Sequence, residues 1–231
     1  ALQARIPYLD VTAEQPSARA TFERYALAAE EAGVAVVPAM GFYGGLSDLL
    51  GTAAMGDWTH ADEARIAIAL DSWHPTGGTR MTGQRNTARR VTIAEGRLEL
   101  LPDPAPNTVW PFAEPFGAQE MVELPFTEAI LIGSHLKLTA LHSYLNTAPL
   151  RDLRDVSTPA PAAVDASGRP AQQFLVEVEI RQGSTVRRAA ARGQDIYAIT
   201  APLVVGAMGR ILSAETHQGA VFAPGALFGA Q

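Results

Sequence analysis

The chain has 231 residues, 47% of them hydrophobic, which suffices for one sizeable core or two small ones and excludes a disordered polymer. Its formal net charge is −6 and its basic residues are scattered, with only Arg89-Arg90 and Arg187-Arg188 adjacent, so no nucleic-acid partner is expected. The absence of cysteine excludes disulfides, thiolate catalysis and cysteine-ligated metal; no apolar run approaches the ~20 residues of a membrane span, and a cytoplasmic location is the simplest expectation.

In chain order, "IPYLDVT" at 6–12 is short and β-rich, and "SARATFERYALAAEEAG" at 17–33 follows as a helix, with Ser17 as candidate N-cap and Gly33 as its stop. "VAVVPAM" at 34–40 is nearly all apolar, the pattern of a strand covered on both faces. After a cluster of glycines, "LSDLLGTAAM" at 46–55 turns helical. A β-α-β-α run of this kind belongs to a parallel sheet whose ligands bind at the carboxyl ends of the strands.

From about Trp58 the pattern changes. "EARIAIALD", "QFLVEVEI" and "TVRRAAAR" alternate like half-buried strands, and "RQGS" joins the last two as a hairpin. A proline-rich stretch at 101–117 and another at 157–172 read as loops, with a helix expected over "SHLKLTALHSYLN" at 134–146. "TAPLVVGAMGRIL" at 200–212 has helical spacing and precedes a short tail.

Four of these stretches are suggestive together: "YLDVTAE" at 8–14, "GVAVVPAMGFYGGLSDLL" at 33–50, "TGGT" at 76–79 and "GQDIYAITAPLVVGAMGRIL" at 193–212. In order and spacing they resemble the saccharopine dehydrogenase-like family of NAD(P)-dependent oxidoreductases. The resemblance implies an α/β fold, with the closing part of a Rossmann-like parallel sheet at 1–56. An α+β substrate and dimerisation domain with a mainly antiparallel sheet would follow at 57–195, and a helix and tail at 196–231 would return to the first domain. It further implies NADP or NAD as cofactor, a small-molecule substrate with a C=N, C=O or C=C bond, and a homodimer.

In that family the first βαβ unit and its glycine fingerprint lie earlier, so roughly a hundred residues are expected upstream of Ala1. No two glycines stand two positions apart, so the chain contains no G-x-G-x-x-G. This polypeptide alone is therefore expected to hold a dinucleotide weakly and to be inactive by itself. Ala13 and Leu46 depart from the family pattern, which has glycine and proline at those places.

The resemblance places the nicotinamide end beside Asp10, Val11 and Thr12 and the turn Met40, Gly41 and Phe42. Asp10 is then either a ligand-facing catalytic group or a cap. Asp48 either serves the cofactor or meets the positive end of its own helix. Thr76, Gly77, Gly78, Thr79 and Arg80 could present N–H groups and a guanidinium to a substrate carboxylate, or form an ordinary glycine turn. His74 is the nearest candidate proton donor, and as readily a surface histidine. His135 and His142, two helical turns apart by about 10 Å, are too far apart to share a metal, and no metal is expected. Trp58, Trp73 and Trp110 either line a cavity or pack the core.

Two other classes compete. A serine hydrolase would use Ser47 in "GLSDL", although Leu49 stands where the nucleophile elbow needs glycine. A non-catalytic dimerisation or binding module would present the antiparallel sheet to a twin.

Overall fold

The structure is a computed structural model and describes residues 1–213 and 218–229. The last expected segment, 196–231, thus includes residues 214–217 and 230–231, which lie outside the described ones. The fold is mixed α/β. Strand Tyr8–Leu9 (β1) leads into helix Gln15–Ala32 (α1), and Gly33 stops the helix at φ 66°, the left-handed geometry that suits glycine. The helix starts ahead of the expected cap at Ser17. Glu14 takes the capping position, and Pro16 occupies the first turn, where its missing N–H costs no bond.

Strand Ala35–Val37 (β2) pairs in parallel with β1, Tyr8 opposite Val36. A π-helical turn at Phe42–Leu46 then passes directly into helix Ser47–Met55 (α2). This is the β-α-β-α order that the sequence predicts.

The remainder runs β3 (Ala61–Leu70), α3 (Gly77–Arg85), β4 (Val91–Ala94), β5 (Arg97–Leu100), β6 (Asn107–Pro111), β7 (Ala118–Glu123), α4 (Glu128–His135), β8 (Leu138–Asn146) and α5 (Thr147–Arg154). A hairpin of β9 (Gln173–Gln182) and β10 (Thr185–Gln194) follows, then α6 (Thr200–Leu212), β11 (Ala220–Val221) and α7 (Pro224–Phe228). The described strands make two sheets. One is wholly parallel, in the order β1-β2-β11. The other runs β10-β9-β3-β8-β4-β5, with β7 also on β8 and β6 on β7; all its pairings are antiparallel except β3 with β8.

Alternation explains its two faces. Ile66, Ile68 and Leu70 of β3 join Val176, Val178 and Ile180 of β9 in the main core. Each such burial contributes about 1.5–3 kcal/mol. Phe42 and Met55 enter the same core from the β2–α2 region, so the parallel unit and the large sheet pack as neighbours. Among the described residues no helix is long and apolar enough to cross a membrane.

Three expectations are corrected. The segment at 134–146 is mostly strand β8, because Leu138, Leu141 and Leu145, though spaced three and four apart, are drawn into parallel register with β3 (Ala61 opposite Leu138, Ile68 opposite Leu145). Long-range pairing overrides the local period. Of the stretch at 101–117, residues 107–111 form β6 rather than loop, and "TGGT" opens α3 rather than a bare turn. His135 and His142 therefore sit on different elements.

His142 faces away from the main core, on the same side of the sheet as Tyr144. Its Nδ1 lies 3.0 Å from Glu123 Oε1, with Glu63 Oε1 3.8 Å from Nε2. The Glu123 hydrogen bond pushes the imidazole above its ordinary value, the two carboxylates assist by charge, and burial and Arg65 oppose. A raised histidine stabilises the fold fully below its unfolded value of about 6.5, and this contribution fades as pH rises through the higher folded value. Urea denaturation of wild type and His142→Gln should differ most at pH 5.5 and converge by pH 8.5. A difference independent of pH would contradict the pairing.

Candidate functional site

A cavity of about 870 Å³ opens where the chain leaves the carboxyl ends of β1 and β2. Four of the segments that wall it are residues 11–14 after β1, residues 41–44 after β2, one side of α3 with Asn86 just beyond, and the 196–200 turn between β10 and α6, with residues of α5 closing a further side. Its floor is apolar. Tyr43 stacks on Phe126 with ring centroids 4.1 Å apart, and Trp73 lies 5.9 Å from Tyr43.

Asp10 ties the first two walls together. Its Oδ1 accepts the N–H of Thr12 at 3.0 Å and that of Ala39 at 2.9 Å, while its backbone exchanges bonds with Val37 and Met40. Ala39 has φ 57°, a conformation that a non-glycine residue holds only when its surroundings enforce it. Gly44 is equally constrained, because a Cβ there would stand 2.5 Å from both the Ala39 carbonyl oxygen and Thr127 Oγ1. Thr127 Oγ1 in turn donates to the Thr12 carbonyl at 3.4 Å.

The other two walls meet at Tyr197. Its phenol oxygen accepts Trp73 Nε1–H at 3.1 Å and the Thr76 N–H at 3.4 Å, and lies 3.0 Å from Thr79 Oγ1. With both lone pairs engaged, its own proton is left to donate to Thr79 Oγ1, which is 3.0 Å from Thr76 Oγ1. Thr76 also caps α3 by accepting the Thr79 N–H at 3.1 Å. Asp195 orients the tyrosine turn through bonds from the N–H groups of Tyr197 and Ala198. Replacing Tyr197 with phenylalanine orphans the Trp73 and Thr76 donors and should cost about 2 kcal/mol in chemical denaturation. An unchanged midpoint would mean that the hub holds nothing.

Charge in the cavity is mainly positive. Arg80, Arg90 and Arg154 line it against one carboxylate, Glu14. Arg80 Nη2 donates to the carbonyls of Asp155 and Thr158, drawing the segment after α5 across the α3 side.

Of the residues proposed from sequence, Val11, Thr12, Gly41, Phe42, Thr79 and Arg80 line this one cavity. Asp10 and Thr76 stand behind the walls as the bond acceptors just described. Gly77 and Gly78 are exposed in the first turn of α3 and lie outside the lining, as does half-buried His74. Met40 is packed into a second apolar cluster with Ala35 and Val37. Asp48 is fully buried away from the cavity: Oδ1 is 2.7 Å from His135 Nε2, and Oδ2 accepts the Gly225 N–H at 2.7 Å. It therefore joins α2, α4 and α7 rather than touching a cofactor.

Ser47 is also fully buried, its Oγ without a hydrogen-bond partner among the described residues, which leaves it neither a base nor an approach for an ester. Among the described residues no cluster of three or more histidine or carboxylate side chains could hold a metal ion. Trp73 lines the cavity, Trp110 packs the far face of the sheet and Trp58 lies under Arg187. Sequence reasoning missed Tyr43, Arg90, Arg154 and Tyr197. Tyr197 stood inside a quoted stretch, "GQDIYAIT", whereas Arg154 had no distinguishing neighbour.

No protein-family model matches the chain, and a search of curated proteins gives no match.

Proposed function

We propose that the cavity is the substrate-side part of an oxidoreductase cleft, of the saccharopine dehydrogenase-like kind, in which a small molecule meets the nicotinamide of NADP or NAD. One observation carries this reading. All four stretches on which the resemblance rests, far apart in sequence, contribute walls to a single cavity at the ends of parallel strands.

The walls fit one end of such a cofactor. Val11, Gly41 and Phe42 leave backbone and apolar surface for a flat ring, and the nicotinamide would supply the hydride. They do not fit its pyrophosphate. The loop entering α1 has no glycine, and Glu14 puts a carboxylate at the helix N-terminus, where a phosphate would otherwise settle. Tyr197, its oxygen fixed by two N–H donors and its proton given to Thr79, is a positioning residue that holds the Thr79 hydroxyl at the cavity wall.

Calorimetric titration with reduced nicotinamide mononucleotide and with NADPH tests the reading. The mononucleotide should bind, weakly, and NADPH should bind no tighter. Absence of mononucleotide binding would remove the oxidoreductase assignment, and much tighter binding of NADPH would overturn the account of the missing pyrophosphate site.

A further inference from the structure

The cavity separates charge from apolar surface. Tyr43, Trp73, Leu124, Phe126, Leu150 and Leu153 supply a floor without a carboxylate or amide group, while the guanidinium groups of Arg80, Arg90 and Arg154 stand in its lining. This concentration of cations occurs in a chain of formal net charge −6, so it runs against the composition.

Arg90 is the informative one. Its Cζ lies 4.5 Å above the Phe126 ring and its Nη1 donates to the Pro125 carbonyl at 2.6 Å. Among the described residues no carboxylate lies within ion-pair distance of it, and burial pulls its guanidinium below the ordinary value despite the favourable charge of Glu128. Withdrawing a cation from water with no carboxylate in contact, and Glu128 acting only from beyond ion-pair distance, is costly, and an anion entering the cavity would relieve part of that cost. The Arg154 side chain, in the lining of the same cavity, has neither a hydrogen-bond nor an ion-pair partner among the described residues, so it can meet an anion there without breaking a bond.

We propose that the cavity takes an amphipathic anion, a small molecule with one acidic head paired to Arg90 and Arg154 and an apolar acyl or aromatic body laid on the leucine and aromatic floor. This rests on reading the cavity as the substrate pocket and narrows its substrate class. A free amino acid fits poorly: its ammonium would face three arginines, and its short or charged side chain would leave the floor uncovered. The volume of about 870 Å³ suits a body of this kind and lies within the usual range for ligand pockets.

The test is calorimetric titration of the whole chain, without nucleotide, using octanoate, 1-octanol, acetate and glutamate. Octanoate should bind about tenfold or more tightly than octanol, because a charge-assisted pair separates them. Acetate and glutamate should give no measurable heat of binding. Arg90→Gln should erase the difference between octanoate and octanol, and Arg90→Lys should keep part of it. Should Arg90→Gln fail to fold, Arg154→Gln at the exposed rim should still reduce that difference. Octanol binding as tightly as octanoate, or glutamate doing so, would overturn the proposal. Octanoate binding without mononucleotide binding would remove the oxidoreductase reading and leave this one, and the reverse result would do the opposite.

Discussion

Replacing Gly44 with valine is expected to cost about 3 kcal/mol of folding stability, since overfilling a packed site forces backbone to move. The reason is local and steric. A Cβ at Gly44 would stand 2.5 Å from the carbonyl oxygen of Ala39, a backbone atom already held at positive φ, and at the same distance from Thr127 Oγ1. The Ala39 carbonyl cannot yield by side-chain rotation, being backbone and already accepting the Gly45 N–H at 2.8 Å, and rotating the buried Thr127 hydroxyl away would break its bond to the Thr12 carbonyl. Gly41 provides the contrast: a Cβ there meets Val11 and Thr200 no closer than 3.5 Å, so Gly41→Ala should change stability little. Urea denaturation of the two variants side by side checks this. Equal losses would show that the turn is not organised around Gly44.

Asp10→Ala should be nearly as damaging, at about 2 kcal/mol, and should weaken binding of reduced nicotinamide mononucleotide as well, because the Thr12 and Ala39 N–H groups lose their shared acceptor. Asp10→Asn is the discriminating variant. It keeps an oxygen where Oδ1 stands, so a positioning role predicts that stability and mononucleotide binding both survive. Loss of binding in a stable Asn variant would return Asp10 to the ligand-facing role that the sequence left open.

How much of this was legible beforehand follows from the range of the forces involved. The β1-α1-β2-α2 run, the β9–β10 hairpin and the helix over Thr200–Leu212 were written in local signals: alternation, a glycine stop at Gly33, a two-residue turn at Gly183-Ser184. Strand β8 was not, since its leucines carry a helical period and only partners from β3, far away in sequence, decide the matter. The same divide runs through the site. The family resemblance placed residues 11–12 and 41–42 beside a cofactor and the glycine pair placed 79–80 beside a substrate carboxylate, and all six residues line one cavity. Asp48 read first as a charge meeting its own helix end and second as a cofactor contact; it does sit in the first turn of α2, but its partners His135 and Gly225 come from elements that no spacing rule brings together. Arg90 and Arg154 acquire meaning only once the fold sets them around an apolar floor.

The central claim is that segments near residues 11–14, 41–44, 79–86 and 196–200 act as one ligand site. Nitrogen-15 heteronuclear spectra recorded while reduced nicotinamide mononucleotide is added read all four at once. The account predicts that amides of all four segments shift together along one binding curve, with those beside Lys137 and Leu138 in the second, smaller groove unmoved. Shifts confined to a single segment, or centred on that second groove, would contradict it.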